Sequence, residues 1–160
     1  MTDPGPFRST FLEIEPGWID YNNHLNMGYY PVLFDRAADE LWGQLGFGPH
    51  YVANTNHTTF SAEFHVRYLR EVKLGDKLYS TIWIIDHDEK RFHTFQELYH
   101  EDGWLSATGE GLTLHVNLDG PRVAPMPEAI QGRLAELAAR HAKLPQPEGV
   151  GRRIGIHRKG

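Results

Sequence analysis

A stripe of apolar side chains with helical spacing runs from about residue 27 to residue 47 and is the longest regular pattern in the chain. Its members recur every three or four positions, so they would share one broad face of a helix. They are Tyr30, Leu33, Phe34, Ala37, Ala38, Leu41, Trp42 and Leu45. Pro31 fits the first helical turn, and Gly46 followed by Gly48-Pro49 ends the pattern. The spacing predicts one long helix.

After this helix the pattern changes to alternation, which predicts an antiparallel sheet. Turn residues separate strands over residues 58–69, 77–87, 91–100 and 104–118. In the first of them the apolar side chains would all lie on one side. They are Phe60, Ala62, Phe64, Val66 and Tyr68. A looser alternation before the helix, over residues 11–19, predicts one further strand.

A second helical pattern covers Glu128–His141 and lies between two pairs of prolines. The order of a strand, a long helix, four hairpin-connected strands and a peripheral helix excludes a parallel βαβ design. A helix with so broad an apolar face must be wrapped by the sheet, which predicts an α+β hotdog fold with about five antiparallel strands. We expect a single domain over residues 1–160, with its core at about 11–118 and a C-terminal helix and basic tail over 119–160.

Composition and charge exclude several classes of protein. The 160-residue chain contains no cysteine, so a thiol nucleophile, a disulfide framework and thiolate metal ligands are ruled out. A net charge of -5 argues against a general nucleic-acid binder. The sequence has neither an N-terminal secretory pattern nor an apolar run of about 20 residues, so we expect a cytoplasmic protein without a membrane partner. Arg152 and Arg153 in the basic tail are candidates for an anion contact.

The densest polar segment, residues 20–30, lies between the first predicted strand and the N-terminus of the long helix. Free backbone N–H groups at a helix N-terminus can polarise a carbonyl, and Gly28 would allow a ligand to approach closely. A carboxylate upstream, such as Asp20, can activate water or attack the polarised carbon. Thioester hydrolysis needs these two parts and no metal. Helix capping explains one or two of the polar residues equally well, so the pattern alone leaves both explanations open.

Two segments carry a family resemblance. Asp20…His24-Leu25-Asn26…Tyr30, followed by Phe34-Asp35-Arg36-Ala37, resembles the signature that opens the long helix in hotdog thioesterases of the 4-hydroxybenzoyl-CoA thioesterase family. Residues 68–76 are similar to the strand-and-turn motif of that family, with Glu71 where many members carry proline. The resemblance covers residues from about 11 to 118. It implies an acyl-CoA thioesterase, for which we expect no cofactor and no metal.

The resemblance also implies roles for individual residues. Asp20 matches the general base or nucleophile, and His24 and Asn26 match residues that support the loop. The backbone at Met27 and Gly28 matches the amide that polarises the thioester carbonyl. The candidate substrate contacts are Trp18, Tyr21, Tyr29 and Tyr30. Because an open sheet edge and the loop both need a partner, we expect a homodimer or a homotetramer built from dimers.

A narrower resemblance involves residues 86–93, 98–100, 103–105 and 114–116. These segments are similar to the thioesterase that accompanies, or is fused to, L-carnitine dehydrogenases. That group is associated with betainyl-CoA hydrolysis, which implies a short acyl chain ending in a quaternary ammonium. Aromatic faces recognise such cations. Besides the four substrate contacts, Trp42, Trp83 and Trp104 are candidates, although core or interface packing would explain most of these rings.

Two other functions remain open at this point. A hotdog dehydratase or hydratase would need a histidine and a carboxylate, and His24 or His57 with Glu63 are the candidates. A non-catalytic acyl-CoA-binding dimer is the other, since a fold does not by itself define a function. The sheet histidines show no spacing typical of metal ligands. They are His57, His65, His87, His93, His100 and His115.

Overall fold

The computed structural model describes residues 5–160, which form one antiparallel sheet and three α-helices. The strands are β1 (Phe7–Arg8), β2 (Leu12–Glu13), β3 (His57–Tyr68), β4 (Lys77–His87), β5 (Arg91–His100), β6 (Leu105–Asn117) and β7 (Arg122–Val123). The helices are α1 (Tyr30–Leu45), α2 (Pro49–Thr55) and α3 (Glu128–His141). The main strand order is β1-β4-β5-β6-β3, with β2 also on β4 and β7 on β6.

Helix α1 lies in the core, as its apolar stripe predicts. Leu33 and Ala37 are completely buried, and the same face packs against side chains of β4 and β5. The turn Met27–Tyr29 is a 3-10 helix, so the α-helix begins at Tyr30, a few residues later than predicted. Gly46 ends the helix in the left-handed conformation (φ 112°), and its N–H donates to the Trp42 carbonyl. The α+β hotdog prediction is confirmed.

The predicted strand over residues 11–19 is wrong in extent. Within these residues β2 is the only strand, a 3-10 turn at Pro16–Trp18 follows it, and Ile19 forms no more than an isolated bridge. Pro16 has no N–H to donate to a ladder, and it fits the start of the helical turn instead. The sequence pattern does not predict helix α2, because Gly48-Pro49 also fits the end of the preceding helix. Proline is equally typical of a first helical turn, which is its position in α2.

Strand β3 forms one edge of the sheet and contains a β-bulge. It pairs with β6, and the register shifts between Ser61 and Glu63. Phe60 therefore lies opposite Leu114, and Phe64 lies opposite Gly111. Positions 114 and 111 are an odd number of residues apart, so the two phenylalanines point to opposite faces. The prediction that all the apolar residues of this strand share one side is wrong for that reason.

Helix α3 packs against β4 and also contacts the C-terminal end of α1. The backbone N–H of Ile84 donates to Nδ1 of His141 across 2.9 Å, and Trp83 meets the edge of the same imidazole. Burial, followed by the charge of Arg140, lowers the pKa of His141 to about 4, so this imidazole is neutral at pH 7. No helix within residues 5–160 is both long enough and apolar enough to cross a membrane.

Candidate active site

The polar segment before α1 folds into a tight loop. Ile19 and Leu25 form an isolated antiparallel bridge at its base. The Asp20 N–H donates to the His24 carbonyl at 2.9 Å, and the Asn23 N–H donates to the Asp20 carbonyl at 3.0 Å. Asn23 adopts a positive φ of 62°, a conformation that asparagine tolerates better than most residues. The asparagine-rich sequence therefore suits a sharp turn that holds Asp20 beside the helix entrance.

The two carboxylate oxygens of Asp20 have different surroundings. Oδ1 accepts hydrogen bonds from the backbone N–H groups of Asn22 (2.8 Å) and His24 (3.3 Å). Oδ2 has no hydrogen-bond partner among residues 5–160. One oxygen thus holds the loop, while the other is available to a water molecule or a substrate. A partly buried carboxylate with a free oxygen can act as a general base or as a nucleophile.

The turn that leads into α1 leaves one backbone N–H group unpaired. Asn26 caps this turn, since its Oδ1 accepts from the Gly28 N–H at 2.9 Å and its carbonyl accepts from the Tyr29 N–H at 3.0 Å. Within the described chain, the Met27 N–H has no acceptor, as expected for the first residue of a helical turn. The Tyr68 hydroxyl donates to the Met27 carbonyl at 2.9 Å and so holds the backbone of this turn. Met27 therefore offers a free donor for a carbonyl oxygen.

The predicted aromatic contacts divide into buried and exposed rings. Tyr30 is 4% exposed and packs edge-on against Tyr68, and its burial raises its pKa. Trp18 is 8% exposed and stacks on Tyr29 with the ring centroids 5.6 Å apart. Tyr21, by contrast, is 94% exposed. Trp18 and Tyr30 are thus part of the core, and Tyr21 and Tyr29 are the candidate aromatic residues that a substrate can reach in the single chain.

The two segments that carry the family resemblance are neighbours in the fold. Besides the bond from Tyr68, the Leu25 N–H donates to the Val72 carbonyl at 2.9 Å. His24 Nε2 lies 3.9 Å from a carboxylate oxygen of Glu71, and both side chains are largely exposed. An exposed pair at this distance contributes little to stability. The segment at residues 68–76 therefore supports the Asp20 loop mainly through backbone and tyrosine hydrogen bonds.

A cavity of about 800 Å³, here called the α1 cavity, lies between α1, α2 and the sheet. Pro31, Asp35, Asp39 and Trp42 line it along the helix, and Thr94 and Thr113 line it from the sheet. Tyr51 of α2 belongs to its far wall and is held by a 2.6 Å contact with the buried His115. Pro31 is four residues after Met27, so the cavity begins at the helix end that carries the free N–H.

The sequence analysis gives no role to the two aspartates of the α1 cavity, although Asp35 belongs to the segment that resembles the family signature. Asp35 and Asp39 are four residues apart and share a helical face with Pro31. That spacing was readable in the sequence. The spacing alone does not show that the two aspartates line a cavity, because α2 and the sheet form its other walls.

Glu63 lies apart from the Asp20 loop. It lines a second depression, together with His65, His93 and Glu110, and it does not line the α1 cavity. His93 Nε2 contacts Glu110 across 2.6 Å, and Arg152 from the basic tail lies beside them. Glu63 and His57 are six residues apart on β3, roughly 20 Å along a strand, so they form no acid–base pair in one chain. Residues 5–160 contain no cluster of histidines and carboxylates arranged to hold a metal ion.

Comparison with known proteins identifies the family to which the chain belongs. The model of the thioesterase-like superfamily matches residues 14–134. The chain belongs to this superfamily. It is 39% identical over 142 residues to a betainyl-CoA thioesterase from Pseudomonas aeruginosa, an alignment that covers 88% of this chain and 89% of that protein. Hydrolysis of an acyl-CoA thioester is therefore the reaction of this enzyme, and the family resemblance seen in the sequence is confirmed.

Two further similarities concern a fused protein and a solved structure. An L-carnitine dehydrogenase/betainyl-CoA thioesterase from Rhizobium meliloti is 36% identical over 155 residues, which are 96% of this chain but 31% of that protein. A Staphylococcus aureus protein solved in complex with CoA superposes with a TM-score of 0.87 at 30% identity. That superposition covers 95% of this chain and 96% of the other. The chain thus matches one betainyl-CoA thioesterase over most of its length and about a third of a longer, fused enzyme.

Proposed function

We propose that this thioesterase hydrolyses betainyl-CoA or a closely related ester whose short acyl group ends in a quaternary ammonium. The observation that carries the proposal is the 39% identity to a betainyl-CoA thioesterase over almost the whole length of both proteins. The narrower resemblance of residues 86–116 agrees with this substrate class. The aromatic and acidic lining of the α1 cavity has the chemistry that a cation requires.

In the proposed mechanism, the free N–H of Met27 donates to the thioester oxygen and stabilises the negative charge that develops on it. As a general base, Asp20 Oδ2 takes a proton from water while the water oxygen attacks the carbonyl carbon. The C–S bond then breaks, and the CoA sulfur leaves with the proton. As a nucleophile, Oδ2 would instead attack the carbonyl carbon, and the C–S bond would break with release of the CoA thiolate, which takes up a proton. Water would then hydrolyse the resulting anhydride, which releases the free acid and restores the Asp20 carboxylate. Both routes use the same free oxygen, and His24 and Asn26 keep the loop in place.

The working unit in this proposal is a homodimer, or a homotetramer built from dimers. Strand β3 is a twelve-residue edge strand, and its Phe60 is 43% exposed. Long edge strands with exposed apolar side chains are prone to pair with another chain. The cytoplasmic location expected from the sequence remains a prediction, and fractionation of the tagged protein tests it.

A thiol-release screen over CoA esters with short, branched, aromatic and betainyl acyl groups tests the proposed substrate. We expect the highest kcat/KM for a cationic ester. Enoyl-CoA and 3-hydroxyacyl-CoA esters belong in the same screen, with hydration and dehydration followed directly. The preferred use of an uncharged acyl group, or water addition without thiol release, would contradict the proposal.

A further inference from the structure

The carboxylates of Asp35 and Asp39 take no part in the mechanism proposed for Asp20. They lie one helical turn apart on α1, and both line the α1 cavity. Trp42 follows three residues after Asp39 on the same face and lines the cavity as well. From Pro31 to Trp42 this stripe extends about 16 Å along the helix. The acidic stripe therefore begins in the first turn of α1, four residues after Met27.

The two aspartates have no cationic partner in the described chain. Neither forms an ion pair with a lysine, arginine or histidine of residues 5–160. Carboxylates four residues apart on a helix repel each other. Partial burial, and then the charge of Asp35, raise the pKa of Asp39. A cation bound between the two side chains would relieve this repulsion.

The remaining walls of the α1 cavity fit an organic cation better than a hydrated metal ion. Trp42 and Tyr51 present aromatic rings, and quaternary ammonium groups bind to such rings. On the floor, Thr94 is only 2% exposed, and its hydroxyl has no hydrogen-bond partner among residues 5–160. Because Thr94 lines the cavity, its hydroxyl is available there to a water molecule or a polar ligand. A purely hydrocarbon acyl group would leave this hydroxyl without a partner.

We propose that Asp35 and Asp39, together with the ring of Trp42, bind the quaternary ammonium of the acyl group and determine the specificity of this thioesterase. This inference rests on the proposed function, because it assumes that the acyl group lies along α1 from the Met27 end. The two carboxylates supply charge at the open side of the cavity, and the indole supplies the apolar surface that the methyl groups need.

The test compares betainyl-CoA with 3,3-dimethylbutanoyl-CoA, which has the same shape but carries a carbon in place of the charged nitrogen. We measure the ratio of the two kcat/KM values for the wild type, Asp35→Asn, Asp39→Asn and the double variant. Loss of both charges should lower the ratio roughly 10- to 100-fold, the range between a screened and a partly desolvated ion pair. Glu40→Gln removes one carboxylate from the same helix outside the cavity and should keep the wild-type ratio.

Binding of thioether analogues of both esters, measured by calorimetry, separates the two proposals because it requires no turnover. If the wild type does not favour the cationic analogue, the proposed substrate is wrong. If the wild type favours it and the double variant favours it equally, the assignment of Asp35 and Asp39 is overturned. Light scattering completes the test. A double variant that loses its oligomeric state would show that the aspartates are interface residues, which also overturns the assignment.

Discussion

At Asp20, the two oxygens of one carboxylate are held differently, and this difference defines the chemistry at the residue scale. Oδ1 takes part in the turn through two backbone N–H groups, whereas Oδ2 has no partner among residues 5–160. A residue that only capped the turn would need the first oxygen alone. The free second oxygen is what the proposed catalytic role of Asp20 requires.

The substitution Asp20→Asn separates these two roles. Asparagine accepts the same backbone hydrogen bonds about as well as aspartate, so the fold and the thermal midpoint should change little. It has no basicity, so kcat should fall roughly 10²- to 10⁴-fold if Asp20 is the base or the nucleophile. Steady-state thiol release measures kcat, and a thermal melt serves as the control. A folded variant that keeps more than about a tenth of the wild-type kcat would exclude Asp20 from the chemistry and direct attention to Glu63.

Met27→Pro tests the proposed oxyanion donor by removing a single backbone N–H group. Proline suits the first position of a helical turn, and Asn26 already has the extended backbone (φ -61°, ψ 140°) that a residue before proline prefers. The fold should therefore be retained, while kcat should fall about 10²- to 10³-fold through loss of the oxyanion donor. Met27→Leu keeps the N–H and is the matched control. Equal rates for the two variants would show that another group binds the carbonyl oxygen.

At the scale of secondary structure elements, the contact between α3 and β4 depends on a neutral histidine. The folded pKa of His141 is about 4, below the ordinary value of 6.5, so the unfolded chain binds the extra proton more readily. The contribution of neutral His141 to the free energy of unfolding is complete above about pH 6.5 and is lost as the pH falls towards 4. The difference between these two pKa values corresponds to about 3 kcal/mol in the free energy of unfolding.

Urea unfolding at a series of pH values measures this effect against His141→Asn. Asparagine can accept the Ile84 hydrogen bond through an atom that replaces Nδ1, and it does not titrate. The variant should be less stable at pH 7, because a smaller side chain fills the site, but its stability should fall less steeply between pH 6.5 and 4. Parallel curves for the two proteins would mean that His141 does not cause the acid sensitivity.

Strand β3 is the element through which we expect two chains to pair. Placing a charge on the exposed edge with Phe60→Lys should weaken that pairing, because edge lysines oppose strand association. Light scattering should then show the mass shifting towards the 18.3 kDa of one chain, with thioesterase activity lost in parallel. Val123→Lys puts the same charge on an equally exposed residue of β7 and should leave the oligomer intact. An active wild-type monomer would contradict the oligomer prediction.

Prediction from the sequence succeeded where a hydrophobic pattern repeats over many residues and failed where one residue changes the geometry. Helix α1 and the four long strands each repeat their pattern over ten or more residues. The bulge after Ser61 turns Phe64 to the face opposite Phe60, and no composition rule reveals the extra residue. Strands β1, β2 and β7 have two residues each, too few for any period.

In the candidate site, the features that are contiguous in sequence could be predicted and those built from several elements could not. The Asp20 loop is contiguous in sequence, so its residues could be read together. The α1 cavity combines α1 with α2 and three strands, and the importance of Asp35 and Asp39 becomes visible only when those elements are assembled. Similarly, the burial of the Trp18 and Tyr30 rings in the core is not visible in the sequence, and their contact with the substrate stays a prediction. Burial of this kind depends on contacts made across the whole chain.

On the scale of the whole molecule, an oligomer of hotdog subunits would bring together a carbonyl donor, a carboxylate and a cavity for the acyl group. The fold and the reaction class follow from the match to the thioesterase-like superfamily over residues 14–134. The acyl group is what distinguishes this enzyme from other thioesterases with the same fold. A cation-binding cavity implies that charge, rather than shape, selects the substrate.

The most direct test of this account is the ratio of kcat/KM for betainyl-CoA to that for 3,3-dimethylbutanoyl-CoA with the wild-type enzyme. The two acyl groups differ only in the atom that carries the charge. Two carboxylates and an indole beside the cation should give a ratio of at least about 10, since a single partly screened ion pair already contributes more than 1 kcal/mol. A ratio near one would contradict the account, and it would leave the enzyme as a thioesterase that selects its substrate by shape.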